Sequence, residues 1–195
     1  MRWTRILLLA AVSGGMGPTA ARAQFQGRVV TEWLTEPGED RRMVLVEDFA
    51  YKDAAGVVWK VPKGWPIDGA SIPPWLWTFV GSPYTGDYRR ASVVHDYYCD
   101  RKNRPWKAVH RLFYDASLAG GVPVLKAKAM YAAVYQRGPR WTLLRGSGFE
   151  DPSAVVVDYR PVFRAHDEKA FREWIESSDP SLEQIESRVD SLEVE

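Results

Sequence analysis

The chain has 195 residues, of which 46% are hydrophobic and 26% are charged, values typical of a globular protein rather than a disordered one. This length suffices for one ordinary domain with a hydrophobic core. The formal net charge of +1 at pH 7 lacks the strongly basic footprint of nucleic-acid-binding proteins. We therefore expect no nucleic-acid partner.

The N-terminus has the layout of a secretion signal. Two arginines precede an apolar run over residues 6–12, and an Ala-x-Ala sequence ends at Ala23. This order predicts a signal peptide over residues 1–23, cleaved before Gln24. Cleavage would leave 23 basic and 25 acidic residues, a net charge of −2. The protein is expected to be periplasmic or secreted, with no transmembrane segment after signal removal.

Residues 27–62 carry the pattern of β-strands. The segments "GRVVTEWL", "RRMVLVEDFAY" and "VVWKVP" are rich in β-branched and aromatic residues with partial alternation. The sequence "DAAG" at residues 53–56 predicts a turn before the last of them. We expect a small N-terminal antiparallel sheet.

The next segment, "IDGASIPPWLW" at residues 67–77, suits neither a helix nor a central strand. Pro73 and Pro74 fix their own φ angles and restrict the residues before them, which predicts a stiff coil. A stiff coil suits a site that must keep its shape, and Asp68 is its candidate functional residue. Alternatively, Asp68 caps a turn and the tryptophans fill the gap between sheet and helices.

Residues 87–135 change to a helical period. We expect three neighbouring helices over "YRRASVVHDYYCDRK" with Asp87 as N-cap, "PWKAVHRLFYDASLA" opened by Pro105, and "VLKAKAMYAAVYQR" opened by Pro123. The predicted fold class is α+β, with the small sheet packed on this three-helix core. Residues 24–145 are expected to form a single domain.

Residues 146–195 are predicted to form an acidic helical C-terminal extension. The segment "AVVVDYRPVF" favours a strand, and "EKAFREWIESS" and "LEQIESRVDSLEV" favour helices. The apolar positions of the last helix, Leu182, Ile185, Val189 and Leu192, share one stripe. We expect a solvated amphipathic helix that packs loosely, with a partner-binding helix as the alternative.

Two of the three histidines occupy inward faces of consecutive predicted helices. His95 shares a face with Ala91 and Cys99, and His110 lies between Trp106 and Phe113. Buried imidazoles need partners, and those available are each other, Asp68, Asp96, a water or a metal. The candidate catalytic residues are therefore His95, Asp96, His110 and Asp68. Asp96 and Asp68 are the candidate metal ligands, and a divalent cation is the candidate cofactor.

Cys99 is the single cysteine and cannot form an internal disulfide. It is either buried and inert or available to an outside partner. It lies one helical turn after His95, but such pairs are common and do not indicate a cysteine nucleophile. Two histidines with carboxylates could hold zinc, although no tight spacing such as H-E-x-x-H is present.

The segments "DGASIPPWLW", "YRRASVVHDYYC", "VHRLFYDASLAGGV" and "MYAAVYQRGPRW" resemble the bacterial and phage family called domain of unknown function 1353. The resemblance covers about residues 27–141 and implies a fold-sized unit and candidate residues, but no reaction. Many members resemble the pattern H-D-x-x-Y with an acid in the next helix. Here Cys99 stands at the tyrosine position and His110 at that of the acid.

A weaker resemblance concerns the His-Asp helix. Secreted phospholipases of the A2 class carry a water-activating histidine followed by a calcium-binding aspartate. The resemblance implies these roles for His95 and Asp96, with the glycine-containing loop at residues 64–72 completing the metal site.

Two classes of function follow. In the first, the protein is a cell-envelope hydrolase acting on a lipid or peptidoglycan, with His95 as general base, His110 or Asp68 orienting it, and Asp96 holding a cation or a water. In the second, it is a non-catalytic envelope or phage-related module, in which the Asp-His cluster only joins loop and helices.

Overall fold

The computed structural model describes residues 23–35, 43–67, 86–144, 155–164 and 167–194. The predicted signal peptide up to residue 22 lies outside the described residues. So does Asp68, together with the rest of the proline- and tryptophan-containing loop.

Two small antiparallel sheets form the N-terminal part. Their strands are β1 (Gln24–Gln26), β2 (Thr31–Trp33), β3 (Met43–Leu45), β4 (Phe49–Lys52), β5 (Val58–Val61) and β6 (Pro66–Ile67). The strand orders are β1-β4-β5 and β2-β3-β6. The predicted turn before β5 is confirmed, since Gly56 has a φ of +87° and Val57 N donates to Asp53 Oδ1 at 2.8 Å.

The segment "RRMVLVEDFAY" is divided between the two sheets instead of forming one strand. Leu45 ends β3 and Phe49 begins β4, and both side chains are buried. Between them, the Asp48 carboxylate accepts a hydrogen bond from Lys63 N at 2.9 Å. The Asp48 side chain thus ties the connection between the two strands to Lys63, just after β5.

Three helices form the centre of the domain: α1 (Arg89–Arg101), α2 (Trp106–Gly120) and α3 (Val124–Arg137). Pro105 and Pro123 occupy the N-cap positions of α2 and α3, and Gly121 ends α2 with a φ of +102°. Tyr88, rather than the expected Asp87, is the N-cap of α1. Among the described helices, none combines the length and the apolar character needed to cross a bilayer.

The first sheet packs on α1 through aromatic side chains. The rings of Trp59 on β5 and Tyr98 on α1 meet edge to face with centroids 5.0 Å apart, and Tyr98 Oη accepts a hydrogen bond from Lys60 N at 3.1 Å. Because a sheet and a helical core share one apolar interior, the predicted α+β class is confirmed.

The C-terminal part adds β7 (Arg140–Leu144), β8 (Val155–Tyr159), β9 (Val162–Phe163), α4 (Glu168–Ser178), α5 (Leu182–Asp190) and β10 (Glu193–Val194). Strands β7 and β8 pair antiparallel, as do β9 and β10. The Asp167 carboxylate caps α4, and Ser181 with Gln184 forms a capping box at α5.

Helix α5 is part of the core, so the expectation of a loosely packed helix is wrong. Leu182, Ile185 and Val189 are 6%, 0% and 1% exposed. Two tyrosines of α3 donate hydrogen bonds to α5 carboxylates, Tyr131 to Glu186 at 2.6 Å and Tyr135 to Asp190 at 3.1 Å. The acidic composition suggested a solvated helix, but these acids find donors on α3, and the apolar stripe faces inward.

Ile185→Ala is expected to lower the free energy of unfolding by about 2–5 kcal/mol, because a fully buried side chain leaves a cavity. Leu125→Ala, at a position that is 36% exposed on α3, is the matched control and should cost less than about 1 kcal/mol. Urea denaturation measures both. Equal small losses would show that α5 does not unfold together with the core.

Candidate metal centre

Helices α1 and α2 bring the two predicted histidines into direct contact. The connection between them is short, because Lys102 ends α1 in a left-handed conformation and Pro105 begins α2. The inward faces predicted from helical spacing are confirmed, with His95 6% and His110 0% exposed. His95 Nε2 lies 2.9 Å from His110 Nδ1.

Cys99 completes the cluster from the next turn of α1. Its Sγ lies 3.4 Å from His95 Nε2, and the residue is 8% exposed. One ligand atom each of His95, Cys99 and His110 lies within 4.8 Å of the others. We call these three residues the His-Cys-His cluster. The sequence signal for Cys99 was its i+4 position relative to His95, which by itself is too common to single it out.

Asp96 contacts the cluster from its outer side. Its Oδ1 lies 3.3 Å from His95 Nδ1, and its side chain is 24% exposed. A carboxylate at this nitrogen holds the proton on Nδ1, and Nε2 is the nitrogen directed at Cys99 and His110. Asp96 therefore orients His95, and the three convergent ligand atoms do not include its carboxylate.

The two imidazoles carry opposite charge preferences. Burial opposes a positive charge on His95, but electrostatic interactions and hydrogen bonds with Cys99 and Asp96 outweigh burial and raise the pKa of His95 to about 10. Burial, reinforced by the positive charges of His95 and Arg140, holds the pKa of His110 well below its usual range. A protonated His95 that donates to a neutral His110 agrees with the 2.9 Å contact.

The far side of the His110 ring lies against a glycine. A Cβ on Gly138 would come within 2.8 Å of His110 Nε2 and within 2.3 Å of the Val134 carbonyl oxygen, so only glycine fits there. The Pro139 carbonyl raises the pKa of His110, but burial has the larger effect and lowers it. Among the described residues, His110 Nε2 has no hydrogen-bond partner of ordinary geometry. His110 is thus held by packing, with Nδ1 turned to the cluster.

The cluster has the donor atoms and spacing of a transition-metal site. Zinc binds thiolate at about 2.3 Å and imidazole nitrogen at about 2.0–2.1 Å, which places two nitrogens on one tetrahedral ion about 3.3 Å apart. Shifts of a few tenths of an ångström would bring His95 and His110 from 2.9 Å to that separation. Thiolate and imidazole select zinc or copper(I) over the oxygen-preferring calcium and magnesium.

The structure brings three of the four predicted site residues together. His95 and His110 meet, and Asp96 joins them through His95. The predicted pair of metal ligands, Asp96 and Asp68, stays a prediction: Asp96 faces the outer nitrogen of His95, and Asp68 lies outside the described residues. Cys99 takes the inner position, because one helical turn places its sulfur next to Nε2.

The fold and the site define a class of protein. It is a small α+β domain whose first two helices hold a buried cluster of two histidines and a cysteine. Residues 43–134 match the family model described as "Protein of unknown function (DUF1353)". The resemblance found in the sequence is confirmed. The likeness to phospholipases of the A2 class stays a prediction.

Two relatives from Sinorhizobium fredii (strain NBRC 101917 / NGR234) are similar to the chain. "Uncharacterized protein y4iH" is 52% identical over 108 residues, which cover 55% of this chain and 45% of that protein. "Uncharacterized protein y4jT" is 50% identical over 99 residues, 51% of this chain and 30% of that protein. The chain thus spans less than half the length of these relatives. No solved structure matches.

Proposed function

We propose that this protein is an exported, zinc-dependent hydrolase of the cell envelope, with the ion held by His95, Cys99 and His110. The observation that carries the proposal is the convergence of the three ligand atoms within 4.8 Å in the interior. Structural zinc sites use four protein ligands, whereas catalytic sites use three and leave one position for water. Three ligands converge among the described residues, which favours the catalytic type.

The chemistry supplied by such an ion is activation of water. Bound zinc lowers the pKa of water to about 7 and so provides hydroxide at neutral pH. His95, Cys99 and His110 would hold the ion, and the hydroxide it supplies would be the nucleophile for hydrolysis of an acyl bond. Asp96 supports this role, since a carboxylate on the outer nitrogen fixes the ring and increases the basicity of a ligating histidine.

The envelope as the place of action is supported by the sequence. The basic, apolar and Ala-x-Ala order of residues 1–23 is that of an export signal. The chain has a single cysteine, so its fold does not depend on an internal disulfide, even in an oxidising compartment. A lipid or a peptidoglycan bond is the corresponding substrate class.

Burial favours a second candidate, a non-catalytic module in which the ion only joins α1 to α2. His95, Cys99 and His110 are 6%, 8% and 0% exposed, values typical of residues that stabilise a core. In that case zinc contributes folding free energy and no turnover.

The test uses the chain produced with its N-terminus intact, recovered from the cell envelope fraction and compared as zinc-loaded and chelator-stripped protein. We expect a mass beginning at Gln24, one zinc per chain, and release of fatty acids or soluble muropeptides by the loaded form only. An intact Met1 in the mature pool contradicts export. Zinc at one equivalent with no product from phospholipid vesicles or peptidoglycan contradicts the hydrolase and favours the module.

A further inference from the structure

A cavity of about 730 Å³ lies outside the His-Cys-His cluster, where the end of α3 meets β9, the connection before it and the start of α4. Its lining includes Arg137, Arg160, Arg164, Phe163 and Glu168. Three arginines and one glutamate give the described part of the lining a net charge of +2. The volume falls within the range of small-molecule sites, about 300–1,000 Å³.

Two of these positive charges are not neutralised within the described residues. Glu168, the only carboxylate among the described lining residues, accepts a hydrogen bond from the Arg137 guanidinium. The guanidinium groups of Arg160 and Arg164 have no hydrogen bond or ion pair with any described residue. Two unpaired guanidinium groups at one concave surface favour an anion, because each can bind a phosphate or carboxylate with two parallel hydrogen bonds.

The wall that carries these arginines is held in place by backbone contacts. Arg164 N donates to the Leu192 carbonyl at 2.7 Å, and Phe163 on β9 pairs with Glu193 on β10. The Phe163 ring also lies 5.3 Å from the guanidinium of the buried Arg140. Pro161, directly after Arg160, restricts the backbone between Arg160 and Arg164. A wall fixed in this way loses little conformational entropy when a ligand binds.

From these features we propose that the cavity binds a small molecule with two anionic groups, phosphates or carboxylates, contacted by Arg160 and Arg164. The site is separate from the metal cluster in chemistry, since it offers guanidinium donors and no metal ligand set. Gly138 is the point of contact between the two, because it lines the cavity and also lies against the His110 ring. The proposal does not depend on hydrolase activity.

Isothermal titration calorimetry at constant ionic strength tests the site with three probes: inorganic phosphate, succinate and fructose 1,6-bisphosphate. The two probes with two separated anionic groups should bind more tightly than phosphate. Arg160→Gln and Arg164→Gln should each weaken their binding by about 10-fold or more, the usual effect of losing a charge-assisted hydrogen bond. Arg89→Gln, at an exposed position on α1, is the matched control and should change binding less than twofold.

The same titrations with Cys99→Ser separate this site from the metal centre, and the affinities should be unchanged there. Equal weakening by all three arginine variants would show diffuse electrostatic attraction and overturn the proposal. Binding to anionic lipid vesicles without binding to the soluble probes would instead identify a surface for membranes, and would also overturn it. Unchanged melting temperatures of Arg160→Gln and Arg164→Gln confirm that a loss of binding is not a loss of fold.

Discussion

Replacing Cys99 with serine is expected to weaken zinc binding by about 100-fold or more. Binding of structural zinc contributes about 10–16 kcal/mol to the folding free energy of small domains. Divided among the ligands, this free energy corresponds to about 3 kcal/mol for each of them. Serine has nearly the same shape as cysteine, but its hydroxyl is a poor ligand for zinc. The measurement is competition with a chromophoric chelator, supported by the cobalt(II) spectrum of the wild type, which should show a thiolate-to-cobalt charge-transfer band that is absent from the variant.

Ser92→Ala provides the control on the same helix. Ser92 is buried on α1 and donates to the Arg89 carbonyl at 3.0 Å, so this substitution perturbs α1 at a residue outside the ligand set. Its zinc affinity should match that of the wild type within about twofold. A Cys99→Ser protein with unchanged affinity, or a wild type without the charge-transfer band, would remove Cys99 from the ligand set.

The second large effect concerns His95→Asn, which should lower hydrolysis of the envelope substrate by about 100-fold or more. Asparagine is polar and can form hydrogen bonds in a similar place, but it cannot supply the imidazole nitrogen that lies 3.4 Å from Cys99 and 2.9 Å from His110. Because His95 is one of the three proposed zinc ligands, its loss weakens binding of the ion that would activate the water. Initial rates on phospholipid vesicles and on peptidoglycan, with zinc supplied in excess, measure the change.

His110→Asn extends this test to the second helix. If the cluster is the reaction centre, both variants lose activity in proportion to their lost zinc, while circular dichroism shows the fold retained. If the cluster only stabilises the helix pair, both variants melt well below the wild type, and the wild type releases no product. A fully active His95→Asn protein without zinc would refute the hydrolase proposal at this site.

The sequence by itself determined the local structure of the helical centre. Proline at the start of α2 and α3 and glycine at the end of α2 act through their own backbone angles, so these boundaries were accessible without a tertiary structure. Helical spacing was enough to place His95 and His110 on inward faces, because the side-chain directions of a helix repeat every 3.6 residues. The apolar stripe of α5 was visible for the same reason.

Only the tertiary structure decided which of these groups meet. Cys99, rather than Asp96, turns its ligand atom towards His110 because of how α1 and α2 pack. Asp96 directly follows His95 and points about 100° away from it around the helix, whereas Cys99 lies one turn further on, on nearly the same side as His95. The packing of α5 depended on hydrogen-bond donors more than fifty positions away, at Tyr131 and Tyr135. The arginine cavity likewise joins the end of α3 to strands far along the chain. Local patterns carry the direction of each side chain, whereas contacts between distant segments arise from burial of the whole apolar surface.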